Sequence, residues 1–279
     1  MNVDILRDTL KKYGVSAVMQ FAASLSVSDS VVDPKSYYQN NVVGTLALLD
    51  AMVSESVNRL VFSSTAAIYG NPVETPITEH HTKNPINSYG ETKLAIERAL
   101  RHYDRAYGLK SICLRYFNAS GADPDGLLGE NHDPETHLIP RALDAASGGP
   151  PLEIFGNDYE TPDGTCLRDY VHVTDLASAH VLALRSLEEG CDSTAYNLGN
   201  GRPYSVKEVV EVVRQVTNKT VPCVVSAKRS GDPGILFASS EDAQRELNWN
   251  PRFKELTSIV ETAWRWYQAS SGKRTAVKK

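Results

Sequence analysis

The sequence predicts an α/β fold with a doubly wound parallel sheet and a smaller second α/β domain, on three observations. Short apolar runs of strand length alternate with longer segments of helical periodicity up to residue 118, the pattern of βαβ units. The runs are continuously apolar rather than alternating, as in strands buried on both faces. Beyond Asn118 the segments become shorter and more mixed. The boundary is placed there, giving domains 1–118 and 119–279, with part of 165–190 expected to return to the first sheet.

The elements follow in order. Leu6, Leu10 and Tyr13 recur at helical spacing, and Gly14 is placed to close that helix. Ser16–Ala22 is a buried strand, Tyr37–Val53 a helix, and Arg59–Ser64 a second buried strand. A helix over Ser88–Tyr107 precedes a strand over Lys110–Tyr116. Gly121–Pro140, rich in Gly, Pro, Asp and His, reads as a long functional loop. Further strands are expected at Ile154-Phe155 and around Tyr170–Val173, and the capping box Ser205-Val206-Lys207-Glu208 opens a helix to about Val216.

With 279 residues, 41% hydrophobic and 23% charged, the chain can bury one large core or two modest ones. A net charge of −5 gives no general attraction to nucleic acid or to an anionic membrane. Any phosphate-bearing ligand must then be held by local arginines. The four cysteines, Cys113, Cys166, Cys191 and Cys223, show no C-x-x-C and no partnering histidine. Neither a zinc site nor a disulfide framework is expected, no metal ligand is assigned, and a reducing compartment, the cytosol, fits. No apolar run reaches the roughly 18 residues of a membrane span.

The strongest chemical signal is Tyr89-Gly90-Glu91-Thr92-Lys93. Tyrosine and lysine four apart project from one helix face, one turn apart. A nearby ammonium favours the phenolate and is expected to lower the tyrosine pKa, giving a base. Upstream, Ser63-Ser64-Thr65 puts hydroxyls at a strand's C-terminal end, where open parallel sheets bind ligands. A lone Y-x-x-x-K is weak; the hydroxyl cluster strengthens it. Phe155 alone reads as core. Arg168-Asp169 alone reads as a surface ion pair, and His172 as a satisfied buried histidine.

Phe62–Gly70 (FSSTAAIYG) and Tyr89–Lys93 closely resemble the catalytic strand and helix of UDP-glucose 4-epimerases, within the extended short-chain dehydrogenase/reductase family. The resemblance runs on through Leu114–Asn118, Ile154–Tyr159, Arg168–Val173, Tyr196–Gly199, Gly231–Pro233 and Glu246–Trp249, covering nearly the whole chain in family order. It implies NAD as cofactor, a UDP-sugar as substrate, and isomerisation at sugar C4 in galactose metabolism, and is compatible with a homodimer. Tyr89 would take the proton from the 4-hydroxyl, Lys93 would hold the nicotinamide ribose and depress the Tyr89 pKa, and Thr65 would bond the 4-oxygen. Phe21, Ala22, Ala23, Asn40, Ser63 and Tyr116 would join Tyr89 and Lys93 around the cofactor. Asn118, His137, Leu138, Phe155, Arg168, Tyr170, Arg229 and Asp232 would join Thr65 around the substrate, Phe155 on the uracil and the two arginines on the diphosphate.

Three departures stand out. Ser24-Leu25-Ser26 replaces a family lysine, and His137 replaces a family asparagine. The glycine-rich turn that grips the NAD pyrophosphate does not occur. The resemblance therefore implies an incomplete Rossmann-type sheet lacking its first three strands, on the order of 60 residues, with a smaller α/β substrate domain. It also implies an exposed edge at Ser16–Ala22, firmer binding of UDP than of NAD by these 279 residues alone, and little turnover. Rivals are a non-catalytic UDP-sugar-binding fragment, a pentose 4-epimerase and a dehydratase. Dehydratases usually carry acidic residues where Ala66 and Ala67 stand.

Overall fold

In the computed structural model, which describes residues 2–229 and 233–277 with side chains through residue 270, the apolar runs pair as parallel strands. In chain order come α1 (Val3–Lys12), β1 (Val18–Gln20), α2 (Val27–Val32), α3 (Pro34–Tyr37), a π-helical stretch over Tyr38–Val43, and α4 (Gly44–Ser54). Then follow β2 (Arg59–Thr65), a 3₁₀ turn over Ala66–Tyr69, α5 (Ser88–Tyr107), β3 (Lys110–Tyr116) and β4 (Asn118–Ser120). The remainder comprises α6 (Leu138–Ala146), β5 (Leu152–Phe155), β6 (Leu167–His172), α7 (Val173–Glu188), β7 (Thr194–Leu198), β8 (Pro203–Ser205), α8 (Val206–Thr217), β9 (Cys223–Ser226), β10 (Ile235–Leu236), α9 (Glu241–Glu246) and α10 (Leu256–Val277).

The first sheet runs β1-β2-β3-β7, every pair parallel. Side chains alternate between its faces. Leu60, Phe62 and Cys113 pack with Leu10, Leu49, Met52, Ile96 and Leu100 from α1, α4 and α5. Val61, Ile112 and Leu114 pack on the other face with Leu176, Ala179 and Ala183 of α7 and with Leu247 and Trp249. Both faces are covered, so the strands read as unbroken apolar runs, and each fully buried Leu or Phe contributes about 1.5–3 kcal/mol. Later residues reach this sheet as α7, lying across it, and as β7, paired to β3.

A second group of strands, β10-β6-β4 with β8 antiparallel on β6, stands beside a small β5-β9 pair. Its core joins α6, α8 and α10 through Ile139, Leu143, Val209, Val213, Ile259 and Val260, with Tyr170 among them. The capping box at Ser205 is formed in both directions: Glu208 N–H donates to Ser205 Oγ (3.0 Å) and Ser205 N–H to Glu208 Oε2 (2.6 Å). Three expectations are revised. The apolar run Ser16–Ala22 keeps strand pairing only over Val18–Gln20. The 121–140 loop ends earlier, at His137, because Leu138 and Ile139 start an amphipathic helix. Val173 opens α7 instead of extending a strand, with the His172 side chain as its N-cap. Among the described residues no helix is long and apolar enough to cross a membrane.

His172 is fully buried, stacked 4.0 Å from Phe253. Its Nδ1 accepts from Thr174 N–H (3.1 Å), so the neutral ring carries its proton on Nε2, 3.0 Å from Thr262 Oγ1. Burial, reinforced by Arg252 and opposed by Asp175, pushes its pKa down to about 4. In the unfolded chain it sits near 6.5, so below that pH the unfolded state takes the proton and the folded state resists it. Stability is therefore full above 6.5 and falls as pH drops towards 4, by about 3 kcal/mol at completion. Denaturant melts of wild type and His172→Gln across pH 7 to 4.5 should show a steeper loss for wild type. Parallel slopes would contradict the assignment.

Candidate active site

The site forms where β2 ends and α5 begins. Asn87 caps α5, its Oδ1 accepting Gly90 N–H at 2.9 Å, and Gly108 in the left-handed conformation closes it. Gly90 is required there: a Cβ would lie 2.6 Å from the Ala67 carbonyl oxygen. That close approach brings the first turn of α5, with Tyr89, onto the residues after Thr65. One turn on, Lys93 is 3% exposed, donates to the Ser63 carbonyl at 2.8 Å, and lies 4.9 Å from the Phe62 ring and 5.9 Å from the Tyr89 ring.

Thr65 Oγ1 accepts Ala67 N–H at 3.1 Å. A hydroxyl has one proton to give, and that of Thr65 is left to donate towards the Tyr89 phenol, with which it hydrogen-bonds. Ser63 Oγ pairs closely with the Tyr116 hydroxyl. The expected lowering of the Tyr89 pKa by Lys93 is not found. Burial dominates and pushes the phenol up to about 12, against the Thr65 hydrogen bond that would lower it. Burial also brings Lys93 down to about 8, opposed by Cys113 and Glu97. Two neighbouring groups that both lose water favour their neutral forms, and one ammonium proton is held by the Ser63 carbonyl.

Beneath this constellation lies a buried polar network that sequence reading missed. Arg115 on β3 and Glu97 on α5 make a two-pronged pair at 2.9 and 2.7 Å, both about 5% exposed or less. Ser64 donates to Glu97 (2.6 Å), Arg115 to the Tyr69 hydroxyl (3.0 Å), and Tyr69 to Asn197 Oδ1 (2.7 Å). Burial pushes Tyr69 up to about 12 and raises Glu79, whose Oε1 accepts Asn197 N–H at 2.6 Å. The helical spacing of Lys93 and Glu97, one turn apart, is the signal that could have exposed half of it.

The other expected residues divide. Phe21 is 56% exposed at the end of β1 and tilts against His180 at 4.6 Å; Ala22 and Ala23 follow it. Asn40 donates to Ser24 Oγ (3.1 Å), so the serine in place of a lysine is tied to the π-helical stretch, as is its amide to buried Asn41 (2.8 Å). Asn118 donates to the Asp169 carbonyl at 2.7 Å. Arg229 lies over Phe155, guanidinium 3.8 Å from the ring, and Arg168 donates to the Leu167 carbonyl (2.8 Å). Asp169 is wholly buried, its carboxylate accepting Asn200, Gly201 and Ala238 N–H; burial outweighs these amides and raises it to about 6. It therefore lies in the interior and forms no surface ion pair. Tyr170, expected at the substrate, is 5% exposed in the second core, because β6 is covered there by α6, α8 and α10. His137 stands at the N-cap position of α6 without a side-chain capping bond, and Leu138 leans on that core. Asp232 lies outside the described residues. Glu130, His132, Glu135 and His137 gather in the loop before α6, a cluster legible in the sequence as E-x-H-x-x-E-x-H rather than through the cysteines.

The UDP-glucose 4-epimerase of Halalkalibacterium halodurans is 51% identical over 95% of this chain and 80% of its own length. The crystal structure of the Brucella ovis UDP-glucose 4-epimerase in complex with NAD superposes with a TM-score of 0.92, at 51% identity, over 94% of this chain and 81% of that one. That of Stenotrophomonas maltophila, with NAD and formylated UDP-arabinopyranose, gives 0.94 at 38% identity over 98% and 82%. The profile of the NAD dependent epimerase/dehydratase family matches residues 1–199, and this chain belongs to that family.

Proposed function

We propose that these residues catalyse NAD-dependent interconversion of UDP-glucose and UDP-galactose at sugar C4, in the cytosol, where four free thiols persist. The carrying observation is the convergence of Tyr89, Thr65 and Lys93 at the C-terminal end of the parallel strands. The nicotinamide end of the cofactor fits what is present: a buried lysine at the strand ends, with Phe21-Ala22-Ala23 and Asn40 alongside and Ser63 and Tyr116 paired. Lys93 would bond the ribose there. Bound NAD supplies the acceptor and donor of hydride for C4 and a positive charge that favours the phenolate.

Tyr89 accepts the proton of the 4-hydroxyl, and Thr65, held by the Ala67 amide, turns its one hydroxyl proton from the Tyr89 phenol to the 4-oxygen when substrate binds. Ala66 and Ala67 offer no carboxylate to move a proton at C5 or C6, which favours plain epimerisation over dehydration. Phe155, Arg168 and Arg229 take the uridine diphosphate side, with Asn118 and Leu138 at the diphosphate and sugar, while the His137 imidazole is engaged by Glu130. NAD-loaded enzyme given UDP-galactose should form UDP-glucose without accumulating NADH absorbance; a 4-keto-6-deoxy sugar as main product would contradict the reading. The same reading carries a homodimer, which sedimentation velocity would show or exclude.

Leu236 sets substrate breadth in this reading. It sits on β10, in register with Arg168, and packs on the cluster of Ile68, Tyr69, Ile77 and Leu94. It is intermediate between a bulky aromatic and a small residue, so slow use of UDP-N-acetylglucosamine is expected. Leu236→Ala should raise kcat/KM for that sugar roughly 10-fold, the scale of one or two methylenes of pocket space. An unchanged value would remove Leu236 from the specificity determinants.

A further inference from the structure

We propose that Glu130, His132, Glu135 and His137 form a binding site for one divalent transition-metal ion of the zinc class. The four residues fall within one eight-residue stretch, E-x-H-x-x-E-x-H, and their ligand atoms all lie within 4.8 Å of one another. Glu130 Oε1 is 2.9 Å from His132 Nδ1 and in direct contact with His137 Nδ1. Glu135 Oε1 is 3.8 and 4.0 Å from the same two nitrogens. A tetrahedral ion with bonds of about 2.0–2.1 Å holds neighbouring ligands about 3.3 Å apart, inside this spread.

The loop is built to hold those positions. The Trp266 indole N–H donates to the Glu130 carbonyl at 2.8 Å, and a Cβ on Gly129 would strike the Trp266 ring at 2.2 Å, so the backbone lies flat on α10. The amides of Thr136 (2.8 Å) and His137 (2.9 Å) pin the Glu135 carboxylate. Both carboxylates are largely shielded, 18% and 21% exposed, while the imidazoles at 41% and 45% leave an entry path. Two carboxylates and two neutral imidazoles present two negative charges, which a dication balances. Imidazole nitrogen selects against magnesium and calcium, which take oxygen. The bland alternative is a set of histidine–glutamate hydrogen bonds, which needs no ion. A bound ion would staple the 121–137 loop at its junction with α6.

Calorimetric titration of metal-stripped protein with Zn²⁺ alone, with no sugar nucleotide present, tests this apart from any question of turnover. One equivalent should bind, with affinity falling at least 10-fold in His132→Ala and in Glu135→Gln. Co²⁺ added to the wild type should give the intense visible bands of a tetrahedral N,O site. Zn²⁺ binding undiminished in both variants, no stoichiometric binding, or the weak spectrum of octahedral Co²⁺ would each overturn the site.

Discussion

Tyr89→Phe should lower turnover by about 10²–10⁴-fold and leave UDP affinity unchanged, because in the proposed reaction the phenolic oxygen takes the 4-hydroxyl proton. The ring's packing survives the change, and Lys93 keeps its hydrogen bond to the Ser63 carbonyl. The lost atom is one that Thr65 contacts and that no other acidic or basic side chain on the Thr65–Ala67 stretch can replace. Single-turnover measurement on NAD-loaded enzyme separates this from slow product release. Turnover within a few-fold of wild type would assign the proton to another group.

Arg115→Met destabilises the fold by about 3–5 kcal/mol, since it leaves the Glu97 carboxylate buried without its cation. Glu97→Met/Arg115→Met recovers most of that loss, because a buried pair replaced together costs far less than one partner stranded. The pair sits beside Ser64, so the single variant also loosens the strand end carrying Thr65. Equilibrium denaturation of the three proteins checks both statements. A single variant as stable as the double would mean that the pair is solvated in solution.

Ser88–Tyr107 and Lys110–Tyr116 were legible to the residue. Asn87 and Gly108 cap that helix at its two ends, and the strand is buried on both faces. Where local signals conflicted, the sequence misled. Tyr170, Val171 and His172 have strand chemistry, yet Val173 turns helical because the buried His172 imidazole caps the helix, a role few sequences announce. Apolar residues continue past Gln20, but strand pairing stops there and Phe21 turns to His180. The Tyr89–Lys93 pair was visible from its spacing, whereas its electrostatics was not. Spacing counts the ammonium near the phenol and misses the water both groups lose. Arg115 and Glu97 are 18 residues apart and meet only through the packing of α5 on the sheet. Asp169 beside Arg168 looked like a surface pair, until three amides from later residues closed around its carboxylate.

In the proposed reaction Tyr89 and Thr65 act on the 4-hydroxyl, and the C4 hydrogen passes to the cofactor and back without exchanging with water. UDP-galactose carrying deuterium at C4, incubated with the NAD-loaded enzyme in ordinary water, tests it directly by mass and NMR analysis of the product. The expected product is UDP-glucose that retains the deuterium at C4. Product with C4 washed out to solvent hydrogen would contradict it, because the proton at carbon would then have been removed by a base and exchanged.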